Sequence, residues 1–375
     1  MRIAIVHHWF VTRGGGERVA ECLASLFPEA EIFTLLATER GLPEGLHGRK
    51  IHTSFLQRVP FAVSYHRHMM PLYARATESL DLRGYDLVIS SDSGPVKGVR
   101  VDPGAVHICY CHSPMRYLYD GYDAYRGQMG AVTRAAFTTA AIPLRQWDIA
   151  AAQRVTHFLA NSRYVADRIR RCYGRESTVI YPPIDVDRGR TFEAGDHYLC
   201  AGRLVGYKRT GLIVEACQRL GRRLRIAGTG PEEGTLRRLA GADVTMLGEV
   251  STDALWNEYA GCRALLFAAD EDFGMVPLEA QACGRPVVAY GRGGSLETVR
   301  GRQPNRTGIL FAEQSVTSLV RGIEEFEAAD AAGSFDAKVI REWADGFRTE
   351  VFLARVREFV LAAAPWSAEA MADLP

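Results

Sequence analysis

The feature that most restricts the fold is a strand–loop–helix unit that occurs twice. Near the start, "RIAIVHH" is a short apolar run rich in β-branched residues. It ends in a loop holding Gly14, Gly15 and Gly16, and "ERVAECLASLF" follows with Val19, Leu23 and Leu26 at helical spacing. Further along, "HYLCAGRL", "VGYKR" and "TGLIVEACQRL" repeat that order. Each is the opening of a doubly wound α/β unit. "YDLVISSD", "AVHICYCH" and "THFLANS" read as buried parallel strands of the first unit; "RRLRIAG", "VTMLG", "RALLFAA" and "RPVVAY" read as strands of the second. "YPPIDVDRGRTFEAGD" between them has two prolines and then a polar run, which suits a linker.

The expected organisation is an N-terminal Rossmann-like domain over 1–182, a linker over 183–189, and a C-terminal Rossmann-like domain over 190–345. The segment after Thr307 reads as mostly helical, and 346–375 as a helical segment able to cross back to the first domain. A chain of 375 residues is long for one core, which agrees with two. Net charge is +1, so no global field marks a nucleic-acid binder. The eight cysteines include no CxxC pair and suit reduced core positions of a cytosolic protein. The apolar run in "MRIAIVHHWF" is too short for a signal peptide, and no window reaches about 18 consecutive apolar residues, the length of a membrane-spanning helix. Neither half carries GxGxxG in its first strand–helix turn. In "GTGPEEG" the third glycine falls one residue late, so Pro231 reads instead as a helix N-terminus, and NAD binding is disfavoured.

The densest chemistry lies in "AADEDFGMVPLEAQACGRPVVAYGRGG", Ala268–Gly294. A buried strand ends there, and ligands of open α/β sheets collect beyond the carboxyl ends of strands. Pro277 suits the first turn of a helix, which Gly284 would close. The amides of Gly274, Met275 and Val276 then point from a positive helix end, where phosphate oxygens bind. Glu271 precedes that end and Glu279, placed in its first turn, faces it from the side. An amide cradle flanked by two carboxylates suits a ligand that is part phosphate and part polyol, such as a nucleotide sugar. Equally, Glu279 could be an ordinary first-turn acid. Arg203 and Lys208, in the loop after "HYLCAGRL", are what a diphosphate needs, or two solvated loop cations. In the N-terminal half, the Gly14–Gly16 turn can face amides outward, and His112 follows a strand, either as a hydrogen-bond donor to a sugar or as a packed strand-end residue.

Taken together these residues resemble the retaining glycosyltransferases of family 4, which have the GT-B fold of two Rossmann-like domains facing a cleft. The resemblance rests on the two glutamates with seven residues between them in "EDFGMVPLE", on "RGGGE", on "GRLVGYKR", and on "NSRYVADRI" followed by "YPPID". "CHSPMRYLYD" and the Glu271–Glu279 region look like bacterial mannosyltransferase-like members that build surface polysaccharides. The resemblance implies that Glu279 holds the donor ribose, that Glu271 faces the transferred sugar, and that Phe273, Gly274, Met275 and Val276 offer amides to sugar and phosphate. It implies that Arg203 and Lys208 neutralise the leaving diphosphate, that Gly15 and Gly16 let the N-domain close on it, and that His112 lies near the anomeric centre. No metal or other cofactor is expected: "DED" at Asp270 reads D-x-D, but its middle residue is the sugar-facing Glu271. The implied reaction retains configuration by a front-face route, with GDP-mannose as donor.

For the acceptor, residues 45–77 hold no Asp or Glu, yet hold Arg49, Lys50, Arg58, Arg67, Arg75 and four histidines, interleaved with Phe55, Phe61, Tyr65, Met69, Met70 and Tyr73. Such a surface can dock on anionic lipid at the inner face of the cytoplasmic membrane and receive a polyprenyl-diphosphate-linked saccharide. The alternative is a packed segment with solvated charges. Other functions open to the same fold are a UDP-sugar-dependent transferase, a sugar phosphorylase, a sugar-nucleotide epimerase, and a subunit that binds nucleotide sugars without catalysis.

Overall fold

The computed structural model describes residues 1–66, 69–127, 129–302 and 304–364. The chain forms two compact units. One comprises Met1–Pro183 with Phe352–Pro375, the other Ile184–Val351. The division falls between Pro183 and Ile184, so residues 184–189, read as a linker, fold with the second unit. There the Ile184 amide donates to the Phe347 carbonyl at 2.8 Å.

The first unit is built on a seven-stranded sheet. Its strands are β1 (Ile3–His7), β2 (Glu31–Thr34), β3 (Ile51–Thr53), β4 (Leu87–Asp92), β5 (Val106–Cys111), β6 (His157–Ala160) and β7 (Thr178–Val179), in the order β3-β2-β1-β4-β5-β6-β7. All neighbours are parallel. β4 and β5 are buried at every residue, as strands covered on both faces must be. β2, β3 and β7 were not among the expected strands: each is two to four residues long, too short for a periodic signal. Val19 and Leu23 of the Gly15–Leu26 helix are fully buried against Ile5, Ile89 and Tyr110. The same core takes Phe352, Val356 and Val360, one stripe of the Thr349–Ala363 helix, and the Phe352 ring meets Tyr110 edge-on at 5.7 Å.

The second unit has six parallel strands: β8 (Tyr198–Ala201), β9 (Leu224–Ala227), β10 (Val244–Gly248), β11 (Ala264–Phe267), β12 (Val287–Tyr290) and β13 (Gly308–Phe311), ordered β10-β9-β8-β11-β12-β13. The region after Thr307 therefore opens with a strand before its helices. The helix placed at Pro231 begins two residues later, at Glu233. In both sheets the strand order reverses direction once, between β1 and β4 and between β8 and β11. Ligands of doubly wound folds bind at such switch points.

All eight cysteines are free thiols, seven of them buried, which fits their expected place in the cores. No described helix is long and apolar enough to cross a membrane.

Candidate active site

In the second unit, the loops that follow β8 and β11 bring the expected cations and carboxylates to one switch point. After β8 the chain runs through Gly202–Val205 and a short 3-10 turn, Gly206–Lys208, into the Thr210–Leu220 helix. This loop is held by the end of β9 and the loop that follows it: the Gly202 amide donates to the Ala227 carbonyl of β9 and the Leu204 amide to the Thr229 carbonyl, each at 2.9 Å. The glycine-rich "GTGPEEG" thus braces the Arg203–Lys208 loop. Arg203 is exposed at its tip.

Lys208 turns inward. Its ammonium pairs with the Glu271 carboxylate and lies 5.5 Å from the centre of the Phe267 ring. Burial pushes the Lys208 pKa down, but the charge and hydrogen bond of Glu271, with a further contribution from Tyr207, together outweigh it and the pKa is raised. The two groups were assigned separately, one to the diphosphate and one to the sugar; the structure joins them. Gly202, Arg203, Lys208, Thr210, Phe267 and Ala268 line a small pocket there.

Beyond β11, Gly274 adopts a left-handed φ of +86°, a conformation L side chains rarely take, and caps the Met275–Ala282 helix. The amides of Met275 and Val276 thus lie in a first turn, where helix geometry supplies no internal acceptor, and Pro277 has none to offer. The helix ends at Ala282, with Gly284 at a φ of +74° just after it. Glu279 is the fifth residue of this helix, so it stands in the second turn rather than the first. Its Oε2 accepts a 2.7 Å hydrogen bond from the hydroxyl of Tyr259, which is fully buried. The ordinary reading of Glu279 as a dipole-favoured first-turn acid loses its basis. Phe273 is buried, with its ring 5.9 Å from that of Phe347.

Several supporting residues escaped the sequence reading. Gly294 presses its backbone onto the Glu271–Phe273 loop: its amide donates to the Glu271 carbonyl at 2.8 Å, and a Cβ there would sit 2.0 Å from the Phe273 carbonyl oxygen. Arg292 pairs with Asp270 at 3.2 Å. The two neighbouring acids of "DED" thus have different cationic partners, Arg292 for Asp270 and Lys208 for Glu271. Only the dipeptide "GG" at the end of the stretch hinted at the close approach; Tyr259, twenty residues from Glu279, carried no local signal.

In the first unit, the switch point places His7 at the end of β1 beside Ser91 of β4. The Ser91 hydroxyl bridges His7 Nδ1 at 3.1 Å and His112 Nε2 at 2.8 Å. The His112 carbonyl accepts from the Asn161 side chain at 3.0 Å. Burial, with a smaller push from His7, lowers the His112 pKa to about 3, so its imidazole is neutral near pH 7. A Cβ on Gly16 would lie 3.7 Å from His112 Nε2, so Gly16 and His112 are neighbours, while Gly15 begins the helix. Beneath them Lys97 is fully buried between Asp92 and Asp148, and Tyr119 and Tyr173 both donate to Asp148 at 2.8 Å.

Two family models together account for most of the chain: "Glycosyltransferase Family 4" over residues 13–188 and "Glycosyl transferases group 1" over residues 187–339. The chain belongs to glycosyltransferase family 4. Among curated relatives, it is 32% identical over 237 residues to the GDP-mannose-dependent alpha-(1-6)-phosphatidylinositol monomannoside mannosyltransferase of Mycobacterium tuberculosis, a match covering 53% of this chain and 60% of the relative. It is 30% identical over 196 residues to the D-inositol 3-phosphate glycosyltransferase of Mycobacteroides abscessus, covering 45% of this chain and 42% of the relative. The matches thus span about three-fifths of the relatives' length or less. Among solved structures, Anabaena HepE in complex with UDP superposes with a TM-score of 0.71 at 17% identity, covering 96% of this chain and all of that one. Sucrose-phosphate synthase from Thermosynechococcus elongatus superposes at 0.68 with 16% identity, covering 97% and 100%. At such identities the likeness is one of fold, and the fold is GT-B.

Proposed function

We propose that this family-4 chain is a retaining hexosyltransferase that moves mannose from GDP-mannose to a lipid-linked saccharide in surface polysaccharide synthesis. The observation that carries the reading is the gathering of Lys208, Arg203, Glu271, Glu279 and a helix N-terminus at the β8–β11 switch point. Cations and first-turn amides suit a diphosphate, and the carboxylates suit the hydroxyls on either side of it. The mannose assignment draws on the mycobacterial relatives, whose names specify GDP-mannose and a phosphatidylinositol-based acceptor.

In this reading the sugar–phosphate bond breaks as charge grows on the leaving diphosphate. Lys208, Arg203 and the amides of Gly274, Met275 and Val276 stabilise that charge, and no metal is needed for it. Glu279, held by the Tyr259 hydroxyl, accepts from the ribose hydroxyls. Glu271 takes a sugar hydroxyl. The acceptor oxygen attacks from the face the diphosphate leaves, and its proton passes to the departing phosphate oxygen, so configuration is kept. His112, being neutral, serves as a hydrogen-bond donor and not as an acid.

The acceptor side is assigned to the first unit. Arg49 is not available to a headgroup, because its guanidinium donates to the carbonyls of Ala24, Phe27, Pro28 and Ala30. Lys50 and His52 pair with Glu31, and Met70 and Tyr73 are buried. What faces solvent includes Lys50, Arg58, Arg75, Phe55, Phe61 and Tyr65; Arg67 lies outside the described residues. These exposed residues are proposed to dock on the anionic inner face of the cytoplasmic membrane.

The test is a thermal-shift panel of GDP, UDP, ADP and their sugars, with and without EDTA, on the wild type and Glu279→Ala. A ligand that binds only the folded state raises the melting temperature. A rise with GDP and GDP-mannose that ignores EDTA and shrinks in the variant supports the reading. A rise with UDP-sugars alone replaces the donor; no rise with any nucleotide overturns the reading in favour of a phosphorylase.

A further inference from the structure

Three side chains of the first unit form a group that the transfer reaction does not use. His7, His8 and Glu17 each bring one ligand-type atom within 4.8 Å of the other two. They are 0%, 6% and 7% exposed. Among the described residues, His7 Nε2 and His8 Nδ1 are buried without a hydrogen-bond partner, and the Glu17 carboxylate stands 3.9 Å from His7 Nε2, beyond hydrogen-bond reach. Two orphaned imidazole nitrogens beside a buried carboxylate are costly to leave unsatisfied.

The surroundings prepare both rings as ligands. His7 Nδ1 lies 3.1 Å from the Ser91 carbonyl, which can only accept, so the proton of a neutral ring sits on Nδ1 and the lone pair on Nε2. His8 Nε2 is 3.3 Å from the Ser93 hydroxyl, leaving Nδ1 for a ligand. Burial, with His7 and His112 nearby, drives the His8 pKa far down against a small pull from the Ser91 backbone, so the ring is neutral, as a metal ligand must be. Glycine at position 14 keeps the carboxylate side open: a Cβ there would lie 3.2 Å from Glu17 Oε2.

We propose that His7, His8 and Glu17 form a site for a transition dication of the zinc class, with a fourth position open to water or a substrate oxygen. Two imidazoles and one carboxylate favour zinc, cobalt or nickel over magnesium or calcium, which prefer oxygen ligands. Bonds of about 2.0–2.1 Å place tetrahedral ligands about 3.4 Å apart, so the group needs to tighten by little more than about 1 Å. All three ligands belong to the first unit, and the site departs from the expectation of a metal-free protein. It is independent of the donor-site reading.

The experiment uses the full-length protein without a histidine tag, stripped with a chelator and titrated with cobalt(II) and then zinc(II). The expected result is one cobalt per chain with the intense visible bands of a four-coordinate site, displaced by zinc, and a melting temperature that rises with zinc. Glu17→Gln and His8→Asn, checked for folding by circular dichroism, each weaken binding at least about tenfold, the scale of loss from a damaged metal site. His52→Gln, at the surface pair with Glu31, leaves binding unchanged. Failure to bind cobalt, or binding that survives both Glu17→Gln and His8→Asn, or binding lost in His52→Gln, overturns the proposal.

Discussion

Lys208 and Glu271 form an ion pair across the β8–β11 switch point, with side chains only 14% and 16% exposed. A donor that engages both must take the ammonium with its phosphate and the carboxylate with a hydroxyl, so each half of the pair exchanges onto the ligand. Lys208→Met is expected to lower kcat by about 10²–10³, the usual effect of removing one preorganised charge from a developing anion. It also leaves Glu271 partly buried without its cation. Unfolding titrations should show Lys208→Met/Glu271→Gln more stable than the sum of the single changes by about 1–2 kcal/mol. Strict additivity would mean that the pair does not couple.

Tyr259 holds Glu279 from within the core. Tyr259→Phe keeps the packing and deletes one hydrogen bond, which costs about 1 kcal/mol of stability. If Glu279 holds the ribose, the loosened carboxylate should also weaken nucleotide binding about three- to tenfold with kcat little changed. Calorimetric titration with GDP decides it: unchanged affinity alongside lowered stability would make Tyr259 a purely structural residue.

The strands that set both switch points were legible because each is an apolar run bounded by loop residues; β4 and β5 are examples. Short edge strands such as β3 and β7 were not, since two or three residues cannot show a period. The same division holds at the site. Arg203, Lys208, Glu271 and Glu279 stand in local motifs. Tyr259, Arg292 and Ser91 meet their partners only through parallel pairing and crossover helices, which no local spacing reveals, and the His7–His8–Glu17 group closes only as the loop after β1 brings the first helix turn back to the strand end. The Lys208–Glu271 contact is of this kind too: two motifs were readable, but their meeting needed the strand order.

Gly294 is expected to tolerate no side chain. A Cβ would press on the Phe273 carbonyl at 2.0 Å, backbone against backbone, so the loop carrying Glu271 must shift. Gly294→Ala should abolish transfer through misplacement of Glu271, with a loss of stability above about 2 kcal/mol, the range of overpacked sites. Gly234→Ala, whose Cβ would meet only the far end of the Arg238 side chain at 3.8 Å, is the control. Equal activity in the two variants would remove the role given to Gly294.

Stability should fall as pH drops below about 6.5, the ordinary imidazole value. His107 is fully buried, with Nε2 2.9 Å from the Ser90 hydroxyl. Burial, and more weakly Arg154, lowers its pKa to about 3. Between about 6.5 and 3 the unfolded chain binds the proton and the folded chain does not, so stability rises with pH across that window and is fully present above it. From pH 7 to 5 this one group removes about 2 kcal/mol. Glu31, whose pKa is lowered from 4.5 to about 2 with Tyr85 and His52 as the main causes, acts only below about pH 4.5, so between about pH 6.5 and 4.5 the His107 window is free of it. Urea midpoints at pH 7.5, 6 and 5 should therefore fall steeply in the wild type and less so in His107→Asn; parallel slopes would contradict the assignment.

Phe61 is the clearest test of the proposed membrane surface. It is 77% exposed and sits at a left-handed φ of +59°, a conformation costly for an aromatic residue, yet it begins a helical turn that also presents Tyr65 at 58% exposure. Arg58 is exposed three residues before it. An apolar tip beside basic residues gains from insertion and from anionic headgroups together, at about 1 kcal/mol for each cation near the surface. Arg58→Glu should therefore weaken flotation with phosphatidylserine vesicles more than tenfold, and Phe61→Ser should weaken it on neutral and anionic vesicles alike. Added salt should reproduce the first effect and not the second. Flotation indifferent to lipid charge, and unchanged in both variants, would leave the segment as a solvated part of the first unit.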